Sequence, residues 1–157
     1  MQKITPFLWF DGQAEEAMNY YVSIFKNSKV KQVVRFGDSG PGPKGSVMTV
    51  NFELNGQEFV GLNGGPGFPF TNAVSFVVSC ESQEEVDHYW DKLSAGGQVI
   101  QCGWLKDKFG LPWQIVPTAF WQMIKSADAA QRDRVMRAMF QMTKFDIAAL
   151  QKAYDGK

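Results

Sequence analysis

The chain has 157 residues with 16 Lys or Arg and 16 Asp or Glu, so its net charge is zero, and 45% of it is hydrophobic. A chain of that size fits one domain that buries roughly two thirds of its unfolded surface, and without a basic run it has no electrostatic footprint for a nucleic acid or a membrane surface. Its two cysteines, Cys80 and Cys102, form no CxxC pair and have no neighbouring histidine; neither a zinc site nor a disulfide framework is indicated, and two small buried thiols in a reducing cytoplasm are the expectation.

The opening residues, Met1-Gln2-Lys3-Ile4-Thr5-Pro6, lack the apolar core of a signal peptide, and no stretch reaches the eighteen or so apolar residues of a membrane span. Ile4 to Phe10 reads as a strand apolar on both faces, with Ile4, Pro6, Leu8 and Phe10 on one and Thr5, Phe7 and Trp9 on the other, which predicts cover on both sides. Ala14, Ala17, Met18, Tyr21, Val22 and Phe25 then fall at helical spacing, with Glu15 and Glu16 in the first turn where the helix dipole favours them. Val30 to Phe36 and Ser46 to Leu54 read as strands. Asn55-Gly56 suits a type I′ turn that returns Gln57 to Leu62 antiparallel. The Gly- and Pro-rich segment from Gly37 to Gly45 is expected to be a mobile surface loop, and Asn63 to Pro69 a second one that leads to the second half.

Ala73 to Ser79 predicts a strand. Ser82 and Glu85 form a capping box, Val86, Tyr89, Trp90 and Leu93 the buried stripe of a helix, and Gly96-Gly97 its end. Gln98 to Cys102, Trp104 to Lys108 and Pro112 to Pro117 are strand candidates, the last two joined through Phe109-Gly110. Beyond Thr118 the pattern turns helical: Val135, Met136, Met139 and Phe140 share a face, and Thr143 with Asp146 suggests a capping box before Ile147, Leu150 and Tyr154. These Met-rich helices read as packing elements that cover the sheet or a subunit contact. Glu84-Glu85-Val86-Asp87-His88-Tyr89-Trp90 repeats the pattern of Glu15-Glu16-Ala17-Met18-Asn19-Tyr20-Tyr21 at a constant offset of 69 residues (84 minus 15). Such a period points to one βαβββ module given twice.

A duplicated βαβββ module resembles the vicinal oxygen chelate superfamily of glyoxalase I, bleomycin-resistance proteins and extradiol dioxygenases. The chain is similar in particular to its PhnB-like branch, often labelled 3-demethylubiquinone-9 3-methyltransferase, through Ile4 to Phe25, Ser75 to Leu93 and above all the run Cys102 to Pro117. The resemblance implies an α+β fold in one domain, with module one at 1–65, module two at 72–117 and a C-terminal helical extension at 118–157. It implies a curved mixed sheet around a concave pocket, and a homodimer. Carried over by position, the metal ligands of metal-dependent relatives fall near Thr5, Phe59 and Val74 and on Gln114. A Thr, a Phe, a Val and a Gln do not supply the donors a divalent ion needs, so no metal and no other cofactor is expected.

Phe7, Trp9, Cys102, Trp104 and Gln114 are the candidate ligand-binding residues, aromatic surface for a small flat or apolar molecule with one amide as a polar handle. No catalytic residue is assigned. His88, the only histidine, is placed on the exposed side of its helix, and Lys106 and Asp107 at a solvated hairpin tip. Lys44 stands outside any P-loop pattern, and Gly61 to Gly67 precedes a further strand instead of a helix, so a nucleotide or S-adenosylmethionine fingerprint is missing. The function expected is metal-free binding of an unknown small molecule. An enzyme of the superfamily is the alternative, and a methyltransferase the weaker one.

Overall fold

The computed structural model describes residues 2–157. Two compact units divide the chain, residues 1–70 and residues 71–157. In the first, β1 (Phe7–Phe10), α1 (Ala14–Ile24), β2 (Lys29–Arg35), β3 (Val47–Leu54) and β4 (Gln57–Asn63) form a four-stranded mixed sheet of order β1-β4-β3-β2, with β1 parallel to β4. Asn55 and Gly56 both take positive φ, 49° and 81°, as the type I′ turn requires, and so pair Leu54 with Gln57 and Phe52 with Phe59. Val50, Phe52 and Leu54 meet Ala14, Ala17, Met18 and Tyr21 in the core under α1.

The expectation that the first strand is covered on both faces is corrected. β1 starts only at Phe7, and while Leu8 and Phe10 are buried, Phe7 is 62% exposed. As an edge strand β1 pairs with β4 alone, and the alternation that buries Leu8 turns Phe7 outward. The 37–45 loop is exposed and clasps Phe36: Gly40 and Gly42 pack against opposite edges of its ring, where a Cβ would collide with it.

The second unit repeats the first. β5 (Phe76–Cys80), α2 (Gln83–Ser94), β6 (Gln98–Val99), β7 (Trp104–Lys106) and β8 (Pro112–Pro117) give the order β5-β8-β7-β6, again with the first and last strands parallel. Identical topology in both halves is what the 69-residue repeat encodes. Ser82 caps α2 by accepting from the Glu85 backbone N–H at 3.2 Å, whereas the Glu85 carboxylate reaches back to the N–H of Glu81 at 2.9 Å, one residue beyond the Ser82 N–H of the predicted box. The extension folds as α3 (Thr118–Ser126), α4 (Ala129–Phe140) and α5 (Ile147–Asp155). A reciprocal capping box of Asp128 and Gln131 starts α4. At α5 the predicted box is corrected: Asp146 is itself the N-cap, accepting from Ala149 N–H at 3.0 Å, and Thr143 lies before the helix. Among the described residues no helix is long and apolar enough to cross a membrane.

Candidate functional site

A cavity of about 680 Å³ opens in the second unit between its sheet and the C-terminal helices. The sheet has two faces with different duties. Leu105, Trp113 and Ile115 turn toward α2 and are buried, whereas Trp104, Gln114 and Val116 alternate to the other face and line the cavity. Trp104 pairs directly with Gln114 across β7 and β8. From α3 come Phe120, Trp121 and Ile124, from α4 Met136, Met139 and Phe140, and from the segment before α5 Phe145. Trp121 and Phe140 are 50% and 56% exposed, so they form the rim. Asn72, Ile100, Gln101 and Cys102 complete the wall, and none of the described residues lining it carries a charge.

Cys102 owes its place to a tight turn. Cys102 and Gly103 take φ of 60° and 82°, and the Trp104 N–H donates to the Gln101 carbonyl at 3.2 Å, a I′-like reversal with a cysteine where Asn or Gly is usual. The same turn clips the extension down: Cys102 N–H donates to Met142 O at 2.9 Å and Gly103 N–H to Thr143 O at 2.8 Å. Gln83 adds a second fastening. Its amide nitrogen donates to Phe145 O and its amide oxygen accepts from Ile147 N–H, both at 2.9 Å, beside an Asp87–Lys144 ion pair at 2.8 Å. The Lys144 ammonium lowers the Asp87 carboxyl below its ordinary range, with Gln83 contributing, and Asp87 in turn raises Lys144.

Gln114 Nε2 donates to Ser75 Oγ at 2.9 Å, which fixes one end of its amide, and among the described residues no donor reaches the other end. The cavity therefore has a single amide in an aromatic and aliphatic floor on the sheet side and an uncharged, mostly apolar roof of helix side chains.

Asp107 is not the solvated tip residue expected. It is 2% exposed, and its carboxylate accepts from the N–H groups of Phe109 and Leu111 at 2.9 and 3.0 Å and from Trp113 Nε1–H at 2.9 Å. Those donors are what makes its burial tolerable. Of the thiols, Cys80 is buried, and desolvation pushes it up to about 12, while Cys102 is half-buried on the cavity wall. Under native conditions iodoacetamide is expected to modify Cys102 and leave Cys80 intact, read as peptide masses. Comparable labelling of Cys80 would refute that assignment.

The remaining candidates lie in the first unit, in other cavities. Trp9 packs against Gly64, donates its indole N–H to Gly65 O at 2.8 Å, and lines a cavity of about 690 Å³ with Phe36 and the 37–45 loop. Phe7 borders a smaller one of about 350 Å³ with Thr5, Lys31 and Glu58. Cys102, Trp104 and Gln114 thus line one cavity of the second unit, while Phe7 and Trp9 line two separate cavities of the first. The four positions that the resemblance makes correspond to metal ligands hold a Thr, a Phe, a Val and a Gln. Phe59 stacks on Phe52 in the core, Val74 is exposed, and Gln114 is tied to Ser75. Glu58, beside Phe59, is the one carboxylate near these positions that the sequence reading passed over. It is committed to Lys31 at 2.5 Å, and Lys31 also holds Glu53 at 3.1 Å; these bonds lower both carboxyls from their ordinary range. Among the described residues no group of three or more His, Cys, Asp or Glu is placed to hold a metal. His88 is exposed, as expected. The Gly64 to Gly67 stretch leads to β5, not to a helix N-terminus.

A family model, 3-demethylubiquinone-9 3-methyltransferase, matches residues 2–116. Among solved structures, the PhnB protein from Bacillus cereus is similar at 41% identity, with 74% of this chain and 99% of that chain covered and a TM-score of 0.69. Protein PA1353 from Pseudomonas aeruginosa is similar at 21% identity over 74% of this chain and 98% of that one, TM-score 0.62. The fosfomycin resistance protein FosX from Listeria monocytogenes shares the fold at 15% identity, over 74% and 93%, TM-score 0.52. No curated protein matches the chain. The chain belongs to the 3-demethylubiquinone-9 3-methyltransferase family, the PhnB-like group with the glyoxalase and bleomycin-resistance fold. The family match ends within β8, so α3, α4 and α5 lie outside it.

Proposed function

We propose that this member of the PhnB-like family is a metal-free small-molecule-binding protein whose ligand occupies the cavity between the second sheet and the C-terminal helices. The observation that carries the reading is the chamber itself: about 680 Å³ is the volume of a small-molecule site, and its wall is apolar and aromatic with a few amides. The donor chemistry at the superfamily's metal positions argues the same way, since a core Phe and an exposed Val bring no ligand atoms. Within the chamber Cys102 is the one titratable group, and it has no adjacent base among the lining residues, so binding explains the wall better than acid–base catalysis does. The methyltransferase named by the family gains nothing from the glycine-rich stretches, which precede strands.

The test uses Cys102 as the reporter. A panel of small molecules, with S-adenosylmethionine included as the cofactor a methyltransferase needs, is screened for slowing of Cys102 alkylation. Wild type is compared with Ile124→Trp, which places an indole in the chamber from a half-buried position of α3. Binders are expected to slow labelling in wild type only, and S-adenosylmethionine to leave it unchanged. Equal protection in Ile124→Trp, or protection by S-adenosylmethionine alone, would overturn the reading.

A further inference from the structure

The three helices that lie beyond the family match make the ligand-facing wall asymmetric, and that asymmetry specifies a class of ligand. Every side chain that α3 and α4 contribute is apolar or aromatic, whereas the neutral amides come from β8 and from loops, Gln114 from the strand with one end of its amide unpaired and Asn72 and Gln101 from the segments before β5 and β7. A charged ligand would lose its hydration there without gaining a counter-charge, which is the costliest form of burial. Met136 and Met139 are unbranched and adapt to irregular outlines, and Trp104 with the rim pair Trp121 and Phe140 offers ring surfaces.

We propose that the chamber is selective for neutral, flat aromatic molecules that carry one hydroxyl, with the ring body under α3 and α4 and the hydroxyl on the free end of the Gln114 amide. A hydroxyl both donates and accepts, so it completes the amide from either side. Phosphorylated and carboxylated ligands are excluded by the uncharged wall. The C-terminal helices, not the family-matched sheet alone, thereby set the ligand chemistry. The proposal rests on the reading of the chamber as a ligand site, and its test separates the two.

Three probes of one shape are compared by calorimetry and by protection of Cys102 from alkylation: 1-naphthol, naphthalene and 1-naphthoate. 1-Naphthol is expected to bind about ten-fold more tightly than naphthalene, the upper end of the net worth of one hydrogen bond, and 1-naphthoate to show no protection where 1-naphthol saturates. In Gln114→Met the advantage of 1-naphthol over naphthalene is expected to vanish, and Ile124→Trp to abolish protection by both. Each variant is checked against the wild-type unfolding midpoint, and should Gln114→Met fail to fold, the naphthol-to-naphthalene ratio in wild type decides. Protection by 1-naphthoate equal to that by 1-naphthol, or no preference for 1-naphthol over naphthalene, would overturn the ligand class while leaving the chamber as a binding site. Failure of all three to protect Cys102 would likewise overturn the ligand class, and only failure of the whole panel of small molecules as well would remove the chamber as a binding site.

Discussion

Asp107→Ala is expected to lower the unfolding free energy by about 3 to 5 kcal/mol, the largest effect of any single substitution considered. Its carboxylate closes the turn between β7 and β8 through two backbone N–H groups and then reaches the indole of Trp113. Removing it leaves three donors at a site with 2% exposure, each without the water that would replace the bond. Asp107→Asn keeps the size and one acceptor but sets an amide N–H₂ or a weaker oxygen against Trp113. A loss of about 2 kcal/mol is expected there, and Trp113→Phe in the same chain should recover part of it by deleting the opposed donor. Urea unfolding followed by tryptophan fluorescence and far-UV circular dichroism measures both. A loss below about 1 kcal/mol for Asp107→Ala would mean that the carboxylate is solvated in solution.

The second large effect falls at Gly103. With φ at 82° it occupies the left-handed region, and a Cβ added there would run into the Phe145 ring and come within 2.9 Å of Ile115 O. Gly103→Ala is expected to cost about 2 to 4 kcal/mol, backbone strain plus overpacking. It should also weaken 1-naphthol binding, because Phe145 is a wall of the chamber. The adjacent position has the opposite sign. Cys102 bears a positive φ of 60° with a side chain poorly suited to it, so Cys102→Asn is expected to be neutral or to stabilise by up to about 1 kcal/mol. Destabilisation by Cys102→Asn equal to that of Gly103→Ala would show that the turn is not the strained element described.

Much of the fold was legible because local rules and the global arrangement agree. Asn55-Gly56 specifies its turn by itself, and the spacing of Ala14, Ala17, Met18 and Tyr21 specifies both the helix and its buried side. The repeat carried the topology, since a module that cannot bury its sheet in one way in the first half and another way in the second must show the same strand order twice. Asp107 was misread because it stands between Lys106 and Lys108, a setting that usually means solvent. The informative signal was Trp113 six residues on, which brings a side-chain donor back over the turn.

The site was legible in part for a related reason. Alternation along β8 puts Gln114 on one face with Val116 and opposite Trp113, and that much follows from sequence, whereas the register that pairs Trp104 with Gln114 does not. Period-2 reasoning cannot say what stands opposite, and the chamber roof comes from helices whose stripes read as packing. Val135 and Met139 are indeed buried, but Met139, together with Met136 and Phe140 at the margin of that stripe, also lines the cavity. The turn at Cys102-Gly103 was equally hidden. Nothing in its residue types announces that its backbone N–H groups reach Met142 and Thr143 and so seat the extension.

The central claim is where the ligand sits, and a methyl NMR titration tests it most directly. In protein labelled at Met and Ile methyls, 1-naphthol is expected to shift Ile100, Ile124, Met136 and Met139, which line the chamber. Met18, on the buried face of α1, and Met48, on the wall of the first unit's cavity, should stay in place. Shifts at Met48 with Ile124, Met136 and Met139 unmoved would place the ligand in the first unit and contradict the account.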